Sequence, residues 1–370
     1  MGKRLAVVVT MAFLTATTST LAQSGFGDQI ASAADIGAGV QAVGADAFSA
    51  TKIDFADGVT GYPDLTYLTL PGYRPLKLDL FLPPARFASS GPRPLVIYVH
   101  GGGWMAGGPR RSAAYADWPK VLASLAARGY VVASVSYRFS REAPFPAAIQ
   151  DVKAGIRWLR ARATTYNIDP TRAAIWGQSA GGHLAALVGT SCGVAALEPG
   201  GRIVPRAANV ETVASTVAGA QDASDCVQAV VGWFGMYDFA SMPRRTSPPA
   251  GMPAGPSAED LFLGCPDGNC TAQQKQAASP TTYVDASDPP FLLMHGADDQ
   301  TVPEAQTETF DAALRAKGVS VRKIVIPAVD HSWIGKTPEA TRQASKQALS
   351  TSIDFIDAQI GDRARAKTKN

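Results

Sequence analysis

The spacing of hydrophobic and polar positions changes several times along the chain, and each change predicts an element. Leu65 and Tyr67 flank Thr66, then Leu68 and Leu70 flank Thr69, so the alternation slips by one residue between the two pairs. Leu76, Leu78 and Leu80 alternate cleanly with Lys77 and Asp79, and Pro71-Gly72 separates the two stretches. Two strands joined by a turn fit this period of two. Leu95 to Val99 is instead a short unbroken apolar run, the pattern of a strand covered on both faces. Trp118 to Arg128 is amphipathic at helical spacing and stops at Gly129, a residue suited to ending a helix. Tyr130 to Val135 is a second apolar run, and Ala147 to Ala163 a second helical one, ending before Asn167-Ile168-Asp169-Pro170.

Ala173 to Trp176 predicts a strand that leads through Gly177 to Gly181 into a helix reaching Val188. Val227 to Trp233, Phe291 to Met294 and Val321 to Ile326 predict three more strands, and a long helix closes the chain near residues 338 to 360. Alternation of this kind predicts an α/β architecture, a mostly parallel central sheet with helices on both faces. One stretch breaks the rhythm. Between Asp238 and Pro280 the chain is rich in Pro, Gly and Ser, which predicts a small irregular insertion. Residues 23 to 60, rich in Ala, Gly, Asp and Ser, show no period and read as a linker or N-terminal arm.

Composition adds an address. Lys3 and Arg4 precede an apolar run from Leu5 to Leu14, and small residues follow to Ala22. That order predicts a secretory signal peptide over residues 1–22 and a secreted or periplasmic mature chain. The run is too short to span a bilayer, and no later stretch is long enough. Formal net charge is +3 and becomes +1 without Lys3 and Arg4, which gives no electrostatic footprint for nucleic acid. The basic end, 361–370, reads as a solvated tail. Cys192, Cys226, Cys265 and Cys270 form an even set that suits an oxidising compartment, and none of their spacings matches a metal site. Cys265 and Cys270 flank the turn-forming Asp267, Gly268 and Asn269, so they are expected to pair with each other, leaving Cys192 with Cys226.

The chemistry concentrates at four places. Gly177-Gln178-Ser179-Ala180-Gly181 is a Gly-x-Ser-x-Gly sequence with a strand before it and a helix after it. Small neighbours allow a turn sharp enough to push the Ser179 hydroxyl clear of the backbone. His100-Gly101-Gly102-Gly103-Trp104 follows the strand at Leu95. The amides of Gly101 and Gly102, with that of Ala180, are positioned by this pattern to hold negative charge on a carbonyl oxygen. His295-Gly296-Ala297-Asp298-Asp299-Gln300-Thr301-Val302-Pro303 puts an acid after a strand, and Asp330-His331-Ser332-Trp333 puts a histidine after the last strand. Of the four histidines, His100 belongs to the glycine loop, His183 lies one helical turn past Ser179, and His295 sits at a strand end. His331 alone comes late enough to return over Ser179. A serine, an acid and a histidine in that order suit nucleophilic catalysis, with the acid holding the imidazole tautomer.

Several of these stretches, with Tyr137-Arg138, Phe145-Pro146-Ala147, Trp158-Leu159-Arg160 and Pro289-Pro290-Phe291, resemble the hormone-sensitive-lipase and feruloyl or acetyl-xylan esterase branch of the α/β-hydrolases. The resemblance covers about residues 65 to 358 and leaves 23 to 60 uncovered. It implies an α/β-hydrolase catalytic domain over 61–360 and a Ser–Asp–His carboxylester hydrolase with no metal or organic cofactor. The motif acid falls on Asp299, four residues before Pro303; Asp298 is a neighbour the pattern does not need. The cysteines and the Pro-rich 242–256 stretch depart from the pattern, at the place where a lid would shape substrate choice. The reaction expected is acyl transfer through Ser179, with His331 as base, Asp299 as its partner and Gly101, Gly102 and Ala180 as oxyanion hole, on a small or polysaccharide-linked ester. Two other readings remain: a serine exopeptidase of the same fold, and a hydrolase-fold binding protein without activity. The acyl group and the oligomeric state are not encoded in these patterns.

Overall fold

The computed structural model describes residues 51–200, 223–243 and 255–362. The leader expected at 1–22 and all but the first two residues of the basic tail at 361–370 lie outside them. The chain runs through β1 (Ile53–Asp54), β2 (Thr60–Leu68), β3 (Leu76–Leu82), β4 (Arg93–Val99), α1 (Trp118–Ala126), β5 (Val131–Val135) and α2 (Ala147–Ala161). It continues through β6 (Ile168–Gln178), α3 (Ala180–Thr190), β7 (Ala229–Trp233), α4 (Ala258–Leu263), α5 (Ala272–Ala278), β8 (Phe291–Gly296), α6 (Ala305–Ala316), β9 (Val321–Ile326) and α7 (Pro338–Ile360). Among the described residues these strands form one nine-stranded sheet in the order β1-β2-β3-β5-β4-β6-β7-β8-β9. The first three join antiparallel, and every pairing from β5 through β4 to β9 is parallel. This is the α/β-hydrolase arrangement.

Strand β4 shows why its sequence carries no polar alternation. Leu95, Ile97 and Val99 enter one core with Ile149 and Val152 of α2, Leu184 and Leu187 of α3, and Phe310 of α6. Val96 and Tyr98, pointing the other way, enter a second core with Trp118 and Leu122 of α1 and Phe355 and Ile356 of α7. Successive residues of a strand face opposite sides, so a strand sandwiched between helix layers must be apolar throughout. The alternation slip in β2 has a structural counterpart, a register shift between Thr66 and Leu68 against β3 that lets Tyr67 and Leu68 both be buried.

The second core is unusually aromatic. Tyr98 meets Trp118 at 4.6 Å between ring centroids, Trp118 meets Trp176 at 5.3 Å, and Trp176 meets Trp233 at 4.7 Å. Trp233 meets Trp333 at 5.4 Å, and Trp333 meets Phe234 at 4.7 Å. These tilted and edge-on contacts carry packing from the sheet centre up to the turn after β9.

Two expectations need correction. The arm expected over 23–60 ends earlier: Ile53–Asp54 and Thr60 already pair into the sheet, held by Phe55 against Phe81 at 5.4 Å and by buried Val59. The insertion between Asp238 and Pro280 is also less irregular than its Pro and Gly content suggested. It contains α4 and α5, each begun by a reciprocal cap, Ser257 with Asp260 and Thr271 with Gln274. Such caps satisfy amides that a helix start leaves open, and they outweigh the surrounding composition. Cys265 and Cys270 are disulfide-bonded between these two helices, and Cys192 is bonded to Cys226 beyond α3. Near the second bridge, buried Lys153 donates to the Ser191 carbonyl at 2.6 Å and reaches Glu198 at 2.9 Å and Asp225 at 3.2 Å. No helix among the described residues is long and apolar enough to cross a membrane.

Candidate active site

Ser179 stands between the end of β6 and the start of α3 with φ 53° and ψ −123°. An L-residue adopts that conformation only under constraint, and here the constraint comes from packing on both sides. A Cβ on Gly177 would lie 2.0 Å from the Gly181 carbonyl oxygen, and a Cβ on Gly181 would lie 2.1 Å from the Val99 carbonyl oxygen. Any side chain at either position would force the turn open. The Ser179 amide donates to the Trp233 carbonyl at 2.8 Å, which ties the turn to the neighbouring strand. Gln178 braces it from the other side by accepting from the Ala113 amide at 2.7 Å.

His331 opens the turn after β9 and reaches back over Ser179. Its Nε2 lies 3.0 Å from Ser179 Oγ, and its Nδ1 lies 2.8 Å from Asp299 Oδ2. A carboxylate can only accept, so Nδ1–H donates to Asp299 and Nε2 is left to accept from the serine hydroxyl. Phe234 packs against the imidazole in a tilted, edge-type contact, with ring centroids 4.5 Å apart. Asp299 follows β8 and is fixed through its second oxygen, which accepts from the amides of Thr301 and Val302 at 2.8 Å each. Burial works to raise its pKa, but hydrogen bonds from His295 and His331 and the Val302 amide outweigh burial and hold the carboxyl far below its ordinary value. Asp298, by contrast, is exposed.

The glycine loop after β4 brings Gly101 and Gly102 to the same opening. Gly102 has φ +119°, and a Cβ there would stand 2.1 Å from the Ala106 carbonyl oxygen. Among the described residues no backbone carbonyl takes the amides of Gly101, Gly102 or Ala180. Tyr137 fixes the loop, donating to the His100 carbonyl at 3.0 Å and stacking on the His100 ring at 4.5 Å. Burial lowers the His100 pKa to about 4, so the ring is neutral and its Nδ1–H donates to the Gly101 carbonyl at 2.7 Å. His183 is likewise neutral, its pKa lowered to about 4 by burial. It accepts from the Trp104 indole at 3.2 Å and donates from Nε2 to the Ala278 carbonyl at 2.7 Å. Trp104 also stacks on Phe262 at 4.4 Å, which fixes α4 beside the opening.

Ser179, His331 and the glycine loop share a cavity of about 300 Å³ whose other walls include Met236, Ala258, Glu259 and Val302. The sequence-predicted residues Ser179, Asp299, His331, Gly101, Gly102 and Ala180 are thus brought together. The four predicted cysteines are not in this cavity, although the Cys265–Cys270 bridge lies between α4 and α5. Sequence reading missed Met236, Ala258 and Glu259 as walls, since the first is placed by the turn after β7 and the other two by the tertiary path of the insertion. It also missed two residues around the acid, His295 and Asp330. His295 Nε2 stands 3.2 Å from Asp299 Oδ2, and Asp330 accepts from the amide of Gln300.

The chain matches the model of the BD-FAE family over residues 78–314, a span that includes Ser179 and Asp299. Esterase LipQ of Mycobacterium tuberculosis is 30% identical over 302 residues, covering 80% of this chain and 62% of that protein. The probable carboxylic ester hydrolase LipM of the same organism is 32% identical over 248 residues, covering 66% of this chain and 50% of that protein. The chain therefore spans between half and about three-fifths of the length of these curated relatives. A solved structure, a truncated form of a carbohydrate esterase from gut microbiota, is 26% identical with a TM-score of 0.63, covering 83% of this chain and 98% of that one. This chain belongs to the BD-FAE family, a hormone-sensitive-lipase-like group of α/β-hydrolases.

Proposed function

We propose that this chain is a serine carboxylic ester hydrolase that works through an acyl-enzyme on Ser179. The observation that carries the reading is the unbroken line Ser179 Oγ to His331 Nε2 at 3.0 Å and His331 Nδ1 to Asp299 at 2.8 Å, opening into a cavity beside free-facing amides. In the first half-reaction Ser179 Oγ attacks the ester carbonyl carbon while its proton passes to His331 Nε2. Asp299 offsets the imidazolium charge. The carbonyl oxygen, now negative, accepts from the amides of Gly101, Gly102 and Ala180. His331 then gives its proton to the departing alkoxide, the C–O bond breaks, and the alcohol leaves. Water repeats the sequence on the acyl-enzyme, releasing the acid and restoring Ser179.

Relatives bearing esterase names support the ester over the amide as substrate. A cavity of about 300 Å³ suits a short acyl group such as acetyl, and the carbohydrate esterase with the same fold supports a sugar-borne ester. Export is part of this reading and is supported by the leader-like first 22 residues and the two disulfides. The test is hydrolysis of p-nitrophenyl acetate and of an acetylated xylo-oligosaccharide by the purified chain, with Ser179→Ala as control. Turnover of the esters that drops about a millionfold in the variant is the expected result. A Ser179→Ala protein with near wild-type rates would overturn the reading, and faster cleavage of an aminoacyl amide than of any ester would move it to peptidase.

A further inference from the structure

We infer that His295 is a positioning residue for the proposed triad, holding the Asp299 carboxylate in the orientation that His331 requires. The inference rests on the triad reading above and adds a member to it. His295 is the penultimate residue of β8, after Phe291, Leu292, Leu293 and Met294, all apolar and all buried. An imidazole in that row gains nothing by burial unless its nitrogens are satisfied. Both are. Nε2 lies 2.8 Å from the Val302 carbonyl oxygen and 3.2 Å from Asp299 Oδ2, and Nδ1 lies 2.7 Å from Thr307 Oγ1.

These partners set the tautomer. A carbonyl and a carboxylate both accept, so the proton sits on Nε2. Nδ1 is then an acceptor, and the buried Thr307 hydroxyl near the start of α6 donates to it. The oxygen that His295 approaches, Oδ2, is the one that accepts from His331. Asp299 therefore has three hydrogen bonds and the His295 ring against its Oδ2. Oδ1 takes two backbone amides, Oδ2 accepts from His331, and His295 Nε2, whose hydrogen bond goes to the Val302 carbonyl, stands 3.2 Å from the same Oδ2. The two amides alone leave the carboxylate free to swing about Oδ1. The His295 contact stops Oδ2 from swinging away from His331, and its bond to Val302 holds the same turn. The line thus runs Thr307, His295, Asp299, His331, Ser179, with His295 touching no substrate.

Four variants of the full chain test this: His295→Leu, His295→Gln, Thr307→Val and Ser179→Ala. Leucine fills the space without a donor, whereas the glutamine amide can still donate toward Asp299. For p-nitrophenyl acetate, His295→Leu is expected to lower kcat by about a hundredfold with KM within about twofold, the size of effect a misplaced catalytic group produces. His295→Gln should restore kcat to within about tenfold of the parent, and Thr307→Val should fall between them because it loosens the tautomer. Should His295→Leu fail to fold, as judged by its melting curve, the ranking of His295→Gln and Thr307→Val against the parent still decides. A Thr307→Val and a His295→Gln both at parental kcat, or a folded His295→Leu with parental kcat, would overturn the inference while leaving the triad in place. Activity retained in Ser179→Ala would instead remove the triad reading itself.

Discussion

Asp330 Oδ1 accepts from the Gln300 amide at 2.8 Å and from the His331 amide at 2.6 Å, so one oxygen clamps the turn of the acid to the turn of the base. The two turns come from different strands, β8 and β9, and their relative position decides whether His331 meets both Ser179 and Asp299. Charge-assisted bonds of this kind contribute about 1.5–3 kcal/mol each when buried, less at this partly exposed site. Asp330→Ala is expected to lower kcat for a chromogenic ester by about ten- to a hundredfold, from loss of alignment, while Ser179 still reacts with a phosphonate probe. Equal kcat in the variant, measured at saturating ester, would remove Asp330 from this role.

The two adjacent acids make a sharper comparison. Asp299 is buried against His331, whereas Asp298 is exposed. Asp299→Asn should cost about ten-thousandfold in turnover, because an amide facing Nδ1 no longer selects the tautomer that leaves Nε2 free to accept. Asp298→Asn should change turnover by less than about twofold, as surface substitutions usually do. The opposite ranking in parallel rate measurements would assign the role to Asp298.

Stability should fall in mild acid. His100 and His183 are buried with pKa lowered to about 4, against about 6.5 in an unfolded chain. Between those values the unfolded chain binds protons that the folded one does not. Stability is therefore complete above about pH 6.5 and declines as pH falls toward 4, by up to about 3 kcal/mol for each ring. Asp299 acts in a lower window: its folded pKa is depressed, so its contribution is present above its unfolded value near 3.9 and is lost only below that. Melting temperature followed from pH 8 to pH 4 should be flat at first and then fall through the histidine range, with a shallower fall in His183→Gln. A midpoint unchanged from pH 7 to pH 4.5 would contradict this account.

The bridges differ in what they close. Cys192 and Cys226 are 34 residues apart, and Cys265 and Cys270 are 5 apart. By chain entropy the longer loop contributes about 3–4 kcal/mol and the shorter about 2 kcal/mol. Cys192→Ser with Cys226→Ser should lower the denaturation midpoint more than Cys265→Ser with Cys270→Ser, although Lys153 and its acidic partners continue to hold the base of the longer loop. Peptide mapping without reductant should recover these two pairs, and recovery of Cys192 linked to Cys265 would refute them.

The parts legible in the sequence are those where one local rule decides. Leu95 to Val99 reads as a doubly covered strand because burial on both faces removes every polar position, and both cores are there. Gly177 and Gly181 read as a sharp turn because no side chain fits against Gly181 and Val99. The helices α4 and α5 were hidden, although Ser257 with Asp260 and Thr271 with Gln274 spell their caps, because proline and glycine dominate the surrounding window. Strand β6 begins at Ile168, earlier than its apolar run, because Ile168 pairs with Arg93 on the neighbouring strand, a contact no local pattern contains. In the sequence His295 shows only its place at a strand end; that its ring approaches the same oxygen as His331 depends on the path of the turn between them. The walls Met236, after β7, and Ala258 and Glu259, at the start of α4, come from two separate segments and carry no common signal.

The row of indoles beneath the site gives the molecule its own spectroscopic reporter. Along the row Trp118, Trp176, Trp233 and Trp333 the ring centroids of successive members lie 5.3, 4.7 and 5.4 Å apart, and the last of them sits two residues after His331. Chromophores this close share excitation, so their combined signal depends on mutual orientation more than on any single ring. Trp333 can leave that ensemble only if the turn carrying His331 lifts from Phe234. Near-ultraviolet circular dichroism of the unlabelled protein would therefore register opening of the turn that carries His331 while far-ultraviolet signal from the sheet and helices stays constant.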